Sequence, residues 1–129
     1  MKINHLLDTH TLIWFIEGDE NLSDIARKSI ERRKITNYVS IASLWEIAIK
    51  INIGRLEIKV PFHQIREKIF ENGFQILPIS FEDTLIISSL PLFHRDPFDR
   101  IIIAQAMANN LTIISRDEHL RAYDIKQVW

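Results

Sequence analysis

Four acidic side chains, spread over the chain, are the residues of this sequence best suited to chemistry. Asp8 follows a short apolar run, Glu46 lies in "SLWEIAIKINIG", Asp99 in "HRDPFDRIIIAQA" and Asp117 in "LTIISRDEHL". If these carboxylates shared one pocket without a cation, they would repel one another until at least one took up a proton. Mg²⁺ or Mn²⁺ would make the cluster favourable, because hard cations prefer oxygen ligands. Such an ion can bind a phosphate, activate a water and stabilise a leaving oxygen.

Each acid alone also has an ordinary structural interpretation. Asp8 could cap the turn that follows it, and Asp117 could cap the turn "DEHL". Glu46 could form an i,i+4 ion pair with Lys50, an arrangement worth about 0.2–0.5 kcal/mol. Asp99, at the third position of a predicted helix, would be favoured by the helix dipole. No single acid by itself indicates a metal site, so that prediction depends on the four acids taken together.

The segment "HRDPFDR" places charge directly before a run of aliphatic residues. Asp96 followed by Pro97 is typical of a helix N-cap with proline at the first helical position, and Asp96 is also a candidate to support the site. Arg100 could offset negative charge or contact a phosphate, as could Arg95. None of the five histidines has the spacing of a metal-ligand motif. His94 could instead help to order the turn "RDPFD" that follows it. Lys50 and its basic neighbours could form a positively charged rim.

Composition limits the classes of protein that the chain can belong to. With 129 residues, 47% of them hydrophobic, and no evident linker, we expect one domain over residues 1–129. A net charge of −1 argues against a generally basic nucleic-acid binder. The absence of cysteine excludes thiolate sites and favours the cytoplasm. No stretch approaches the roughly 20 apolar residues of a membrane span, and Asp8 comes too early for a signal-peptide core.

Strands alternate with helices along the chain. Apolar or β-rich runs predict five strands, at 3–7, 35–40, 74–80, 111–115 and 125–129. Caps, glycines and prolines delimit six helices, at 9–18, 22–34, 40–54, 61–73, 81–91 and 96–110. This alternation predicts a mostly parallel sheet with helices on both faces, an α/β/α sandwich. Ligands of such sheets bind at the carboxyl ends of the strands, where Asp8 and Asp117 would lie.

Four segments, "LLDTHTLIWFI", "SLWEIAIKINIGRL", "HRDPFDRIIIAQA" and "LTIISRDEHLRAY", occur in an order and at spacings that resemble a PIN domain. They look most like the PIN ribonucleases of the VapC type, the toxins of bacterial toxin–antitoxin pairs. The resemblance extends over nearly the whole chain. It implies that Asp8, Glu46, Asp99 and Asp117 are the catalytic and metal-binding acids. It also implies a hydroxyl at Ser115, where threonine is often found.

The same resemblance implies an activity and partners. We expect a Mg²⁺- or Mn²⁺-dependent endoribonuclease with RNA as substrate, a cognate antitoxin protein as partner, and a cytoplasmic location. Arg100 and Lys50 are the candidates to contact the substrate. A homodimer is also implied, with its apolar contact surface near Leu12 to Phe15 or on the helix around Trp45.

Three other classes of protein are the alternatives. A catalytically silent PIN fold that only binds RNA or protein would be expected to have lost an acid, yet all four positions are filled. A phosphorylatable receiver-like module would need an aspartate after the third strand, and "ILPIS" supplies none. A nucleotide-binding protein would need a glycine-rich loop, which the three glycines do not form.

Overall fold

Five parallel strands form the centre of the molecule. The structure is a computed structural model that describes residues 3–129. Its strands are β1 (His5–Leu7), β2 (Asn37–Ser40), β3 (Gln75–Leu77), β4 (Thr112–Ile114) and β5 (Lys126–Val128). They lie in the order β3-β2-β1-β4-β5, and every neighbouring pair is parallel. The predicted α/β class with a parallel sheet is therefore confirmed, although each strand is shorter than the apolar run that predicted it.

Six α-helices connect the strands. They are α1 (Thr9–Glu17), α2 (Asp24–Glu31), α3 (Ile41–Asn52), α4 (Ile65–Glu71), α5 (Phe81–Ser89) and α6 (Pro97–Asn109). The helix predicted to begin at Pro61 instead starts with a separate 3-10 segment, Phe62–Gln64, and becomes α-helical at Ile65. A second 3-10 segment, Glu118–Ala122, follows β4. None of the helices within residues 3–129 is long and apolar enough to cross a membrane.

The helix ends follow the predicted capping chemistry. Asp96 accepts hydrogen bonds from the backbone N–H groups of Phe98 and Asp99, with Pro97 at the first position of α6. Gly18 ends α1 with a φ of +64°, a left-handed conformation that glycine adopts without strain. Asp96 therefore determines where α6 begins, and Gly18 determines where α1 ends.

Successive strand residues point to opposite faces of the sheet. Leu7 and Ile114 join the core cluster that includes residues of α1, α2, α3 and α4, whereas Leu6 and Ile113 join the cluster formed with α6. Apolar side chains are therefore buried on both faces, as an α/β/α sandwich requires. All four of these side chains are completely inaccessible to solvent.

The chain changes the side of the sheet to which it adds strands between β1 and β4. From β1 the chain continues through β2 to β3 on one side, and β4 with β5 lies on the other. Such a switch point, at the carboxyl ends of the strands, is where open parallel sheets bind ligands. Asp8 directly follows β1, and Asp117 follows β4 by three residues.

One of the two predicted dimer surfaces is partly covered by the fold. Leu12 and Ile13 are buried, and Trp14 and Phe15 are half-buried against the core. Because α1 packs Leu12 and Ile13 against the sheet and its neighbours, only Trp14 and Phe15 could contribute to a contact here, and that surface stays a prediction. The other predicted surface is open, since Trp45 on α3 is 60% exposed.

Candidate active site

A cavity of about 360 Å³ contains all four of the predicted acids. Its walls include Asp8, Glu46, Asp99 and Asp117, together with Asp96 and Lys50. Asp8 and Asp117 come from the ends of two adjacent strands, and Glu46 and Asp99 come from α3 and the first turn of α6. The fold thus brings together residues that are more than one hundred positions apart in the sequence.

Asp8 combines a structural role with a position in the cavity. Its Oδ1 accepts a hydrogen bond from the Thr11 N–H at 2.9 Å, which caps α1. Its Oδ2 has no hydrogen-bond partner among residues 3–129. Asp8 therefore caps α1, which was its ordinary structural interpretation. The cap uses one carboxylate oxygen and leaves the other available to a ligand.

Glu46 is almost fully enclosed, with 4% of its surface exposed. Its Oε1 accepts a hydrogen bond from the Thr9 hydroxyl at 2.6 Å. Its Oε2 forms an ion pair with Lys50 Nζ, also at 2.6 Å. The predicted i,i+4 pair and the predicted place in the pocket therefore coexist. Lys50 neutralises a buried carboxylate that would otherwise be costly.

Asp99 lies in the most electrostatically crowded position. Burial and the negative charge of Asp96 raise the pKa of the Asp99 carboxyl to about 7, and the charges of Glu46 and Asp8 act in the same direction. Its Oδ2 is 3.1 Å from the His94 ring nitrogen Nε2, a contact that lowers this pKa in part. Its Oδ1 has no protein partner within the described chain.

Asp117 is the acid with the most hydrogen bonds. Its Oδ1 accepts from the His119 backbone N–H at 2.9 Å, and its Oδ2 lies 3.0 Å from His94 Nε2. Burial alone would raise the pKa of Asp117, but the hydrogen bonds from His119 and His94 outweigh it and lower that pKa. The Asp117 N–H in turn donates to the Ser115 hydroxyl at 3.0 Å.

Two predicted residues support the site from outside the cavity. Ser115 is completely buried and contacts the site through the backbone of Asp117. The guanidinium of Arg100 donates to the carbonyl oxygens of Leu90, Pro91 and His94. Arg100 therefore stabilises the loop before α6 and is not among the residues that line the cavity, so its contact with a phosphate stays a prediction.

Residues that the sequence did not single out also line the cavity. Thr9 orients Glu46, and Arg116 places its guanidinium 4.6 Å from the ring centre of Trp14. His10, two residues after Asp8, lies at the same wall. The signal was positional, since Thr9 directly follows Asp8 and Arg116 directly precedes Asp117.

The donor set fits a hard divalent cation. Asp8 Oδ2 and Asp99 Oδ1 are without protein partners in residues 3–129, and both residues line the cavity. The raised pKa of Asp99 has the sign expected where negative charges accumulate without a counter-ion. Carboxylate oxygens are the ligands that Mg²⁺ and Mn²⁺ prefer. These residues could therefore hold such an ion.

The chain belongs to the PIN domain family, whose pattern matches residues 5–126. Among characterised proteins it is similar to Ribonuclease VapC22 of Mycobacterium tuberculosis (strain ATCC 25618 / H37Rv), with 24% identity over 121 residues, 92% of this chain and 90% of the relative. The resemblance predicted from four sequence motifs is confirmed at the level of the family.

Solved structures share the fold over the full length of the chain. One is a chain of VapBC2 from Rickettsia felis bound to a DNA fragment from their promoter, with a TM-score of 0.71, 16% identity and coverage of 98% of both chains. Another is a chain of a toxin–antitoxin complex from Klebsiella pneumoniae, with a TM-score of 0.65, 21% identity and coverage of 97% of this chain and 96% of that one.

Proposed function

We propose that this protein is a Mg²⁺- or Mn²⁺-dependent endoribonuclease and the toxin of a toxin–antitoxin pair. The observation that carries the proposal is the convergence of Asp8, Glu46, Asp99 and Asp117 on one cavity at the switch point of the sheet. Membership of the PIN domain family and similarity to a protein named as a VapC ribonuclease support the activity. The solved relatives named as toxin–antitoxin or VapBC assemblies support the partner.

In this proposal each residue of the cavity has a separate task. Asp8 and Asp99 would hold the cation, with Asp117 beside them. When bound, the ion supplies the charge that activates a water and stabilises the leaving oxygen of the phosphodiester. Lys50 neutralises Glu46 and places a positive charge at the cavity, where it can contact a phosphate. Asp96 holds the start of α6 and thereby the position of Asp99.

Two protein contacts belong to the same proposal. A cognate antitoxin would inhibit the enzyme, and an arginine from it could bind the acidic cavity in place of the cation. A homodimer would form through α3, where Ile41 and Trp45 are exposed one turn apart and Trp45 meets the Phe98 ring edge-on at 5.3 Å. The reaction would take place in the cytoplasm, where RNA is available as substrate.

The activity can be tested by incubating the purified chain with single-stranded RNA in Mg²⁺, in Mn²⁺ and in chelator. We expect endonucleolytic cleavage with either metal and none in chelator. Asp8→Asn should lower the rate by orders of magnitude. Asp124→Asn is the matched control, because Asp124 is exposed just before the start of β5, whereas the cavity lies at the carboxyl ends of the strands. Its substitution should leave the rate unchanged.

The same assay separates the proposal from a catalytically silent PIN fold. A silent fold would bind RNA in a filter or fluorescence assay and leave it intact under every metal condition. Cleavage by Asp8→Asn at the wild-type rate would instead point to a contaminating nuclease and remove the support for this site.

A further inference from the structure

His94 contacts two of the four acids, although it is not itself an acid. It lies in the loop between α5 and α6, and its side chain is only 16% exposed. Its Nε2 is 3.0 Å from Asp117 Oδ2, with hydrogen-bond geometry, and 3.1 Å from Asp99 Oδ2. A single ring nitrogen therefore lies between two carboxylates that come from different elements of the fold.

The surroundings of the ring determine which nitrogen carries the proton. The backbone N–H of Asp96 donates to Nδ1 at 3.2 Å, so Nδ1 is the acceptor. In a neutral imidazole the other nitrogen must then carry the hydrogen, and Nε2 presents an N–H to the two carboxylates. The loop is itself held, because the His94 N–H donates to the Tyr123 hydroxyl at 2.8 Å and its carbonyl accepts from Arg100.

We propose that His94 is a positioning residue: its Nε2 lies between the Asp99 and Asp117 carboxylates and holds them side by side at the cavity, ready for a divalent cation. The proposal rests on the proposed function, since it concerns the same cation site. It assigns to His94 a role different from that of a ligand. Binding through Nε2 would move the ring proton to Nδ1, where it would face the N–H of Asp96.

The physical effect is to pre-organise two ligands of the proposed cation site. Asp99 and Asp117 would repel each other if nothing lay between them. Lys50 is paired with Glu46, whereas the ring of His94 is the group that lies between Asp99 and Asp117. The loss of a partner that orients a ligand typically weakens metal affinity by about 10- to 100-fold.

The first test reads the proton position directly. The ¹⁵N chemical shifts of the His94 ring in the metal-free protein should show Nε2 protonated and Nδ1 unprotonated, and the same tautomer should remain after Mg²⁺ is added. A protonated Nδ1 in either state would overturn the proposal. This measurement uses the unaltered protein and needs no RNA.

The second test compares substitutions by their effect on Mg²⁺, Mn²⁺ and Zn²⁺ affinity, measured by calorimetry. His94→Ala should weaken Mg²⁺ and Mn²⁺ binding by about 10- to 100-fold. His94→Gln should recover most of this loss, because the glutamine amide can place an N–H close to the position of Nε2. His119→Ala is the matched control: His119 also contacts Asp117, but its side chain is 81% exposed, and we expect a smaller effect.

The outcomes distinguish this inference from the proposed function. If His94→Ala binds Mg²⁺ as tightly as the wild type, the positioning role is wrong while the nuclease proposal stands. If His94→Gln loses Zn²⁺ affinity far more than Mg²⁺ affinity, His94 is a nitrogen ligand, because imidazole favours the softer ion. If the wild type binds none of the three ions, the metal-dependent function fails and the positioning role fails with it.

Discussion

Asp8 accepts a hydrogen bond from the Thr11 N–H and also lines the cavity, and the other acids share this double position. Glu46 is paired with Lys50, and Asp117 caps the 3-10 segment that follows it. At the scale of the residue, the ordinary and the chemical interpretations therefore both apply. A substitution at any of these acids should change stability and cation binding together, so the two must be measured separately.

Asp99→Asn should make the metal-free protein less sensitive to pH. The pKa of Asp99 is 3.8 in an unperturbed chain and about 7 here, with burial as the main cause and Asp96 second. Between these values the folded state holds the proton and the unfolded state does not. The free energy of unfolding therefore falls as pH rises from about 4 to about 7, by at most about 1.4 kcal/mol per pH unit from this group. Denaturant unfolding at several pH values measures this slope.

Added Mg²⁺ should change which of the two proteins, the wild type or Asp99→Asn, is the more stable. At neutral pH without metal, Asp99→Asn should be at least as stable as the wild type, because it lacks one repulsive charge. Mg²⁺ should stabilise the wild type by RT ln(1 + [L]/Kd), about 2.7 kcal/mol at a hundred-fold excess over Kd, and the variant much less. A variant that melts tens of degrees lower without metal would show that Asp99 is mainly a structural residue of α6.

Lys50→Met should destabilise the metal-free protein and increase its response to metal. The substitution leaves the Glu46 carboxylate buried with only the Thr9 hydroxyl as partner, which should cost about 1–3 kcal/mol. A divalent cation then replaces the missing positive charge, so the rise in Tm on adding Mg²⁺ should exceed that of the wild type. Lys68→Met is the control, since its pair with Glu71 is exposed and should contribute only about 0–1 kcal/mol.

At the scale of the element, α6 connects the site to the core. Its first turn contains Asp96 and Asp99, and Ile102 and Ile103 in the following turn are buried against the sheet. The aliphatic run thus anchors the helix whose start faces the cavity. The position of the Asp99 carboxylate depends on this packing and on the Asp96 cap.

Asp96→Ala should lower stability by about 0.5–2 kcal/mol through loss of the cap. It should also reduce the rise in Tm produced by Mg²⁺, because Asp99 loses the group that holds its backbone. Ser80→Ala is a matched cap deletion: Ser80 forms a capping box at the start of α5, away from the cavity. A thermal melt of each variant with and without Mg²⁺ should show equal losses of stability but a reduced metal response only for Asp96→Ala. A normal metal response in Asp96→Ala would contradict this link.

At the scale of the whole molecule, the proposed dimer rests on exposed apolar surface. Trp45 is 60% exposed on α3, and Ile41, one turn before it, is also exposed. Both lie on the helix that carries Glu46, so a contact between two copies here would border the cavity. Large apolar side chains grouped on one surface are typical of protein–protein contacts.

Light scattering should therefore find a dimer at micromolar concentration, and Trp45→Glu should give a monomer. Ile25→Glu is the control, because Ile25 is equally exposed, at 62%, but lies on α2. A monomeric wild type at high micromolar concentration would contradict the dimer. Dissociation by Ile25→Glu instead of Trp45→Glu would place the contact on α2.

The sequence alone determined the elements, their order and the set of acids. Strand runs, caps and helix-stopping residues act over a few positions, so they can be recognised without knowledge of the fold. Asp8 and Asp117 were predicted near strand ends, and Asp96 with Pro97 predicted the start of α6, as the structure has them.

Only the tertiary structure decided how the side chains pair. The Thr9 hydroxyl meets Glu46 across 37 positions of sequence, and His94 meets Asp117 across 23. Whether Arg100 faces the cavity or the loop carbonyls likewise depends on packing between elements. Such contacts join residues that are distant in the chain, and each depends on side-chain direction within a sheet-and-helix arrangement that local patterns do not specify. Local patterns therefore predicted the four acids that line the cavity, and tertiary packing determined their hydrogen bonds and brought Thr9 and Arg116 beside them.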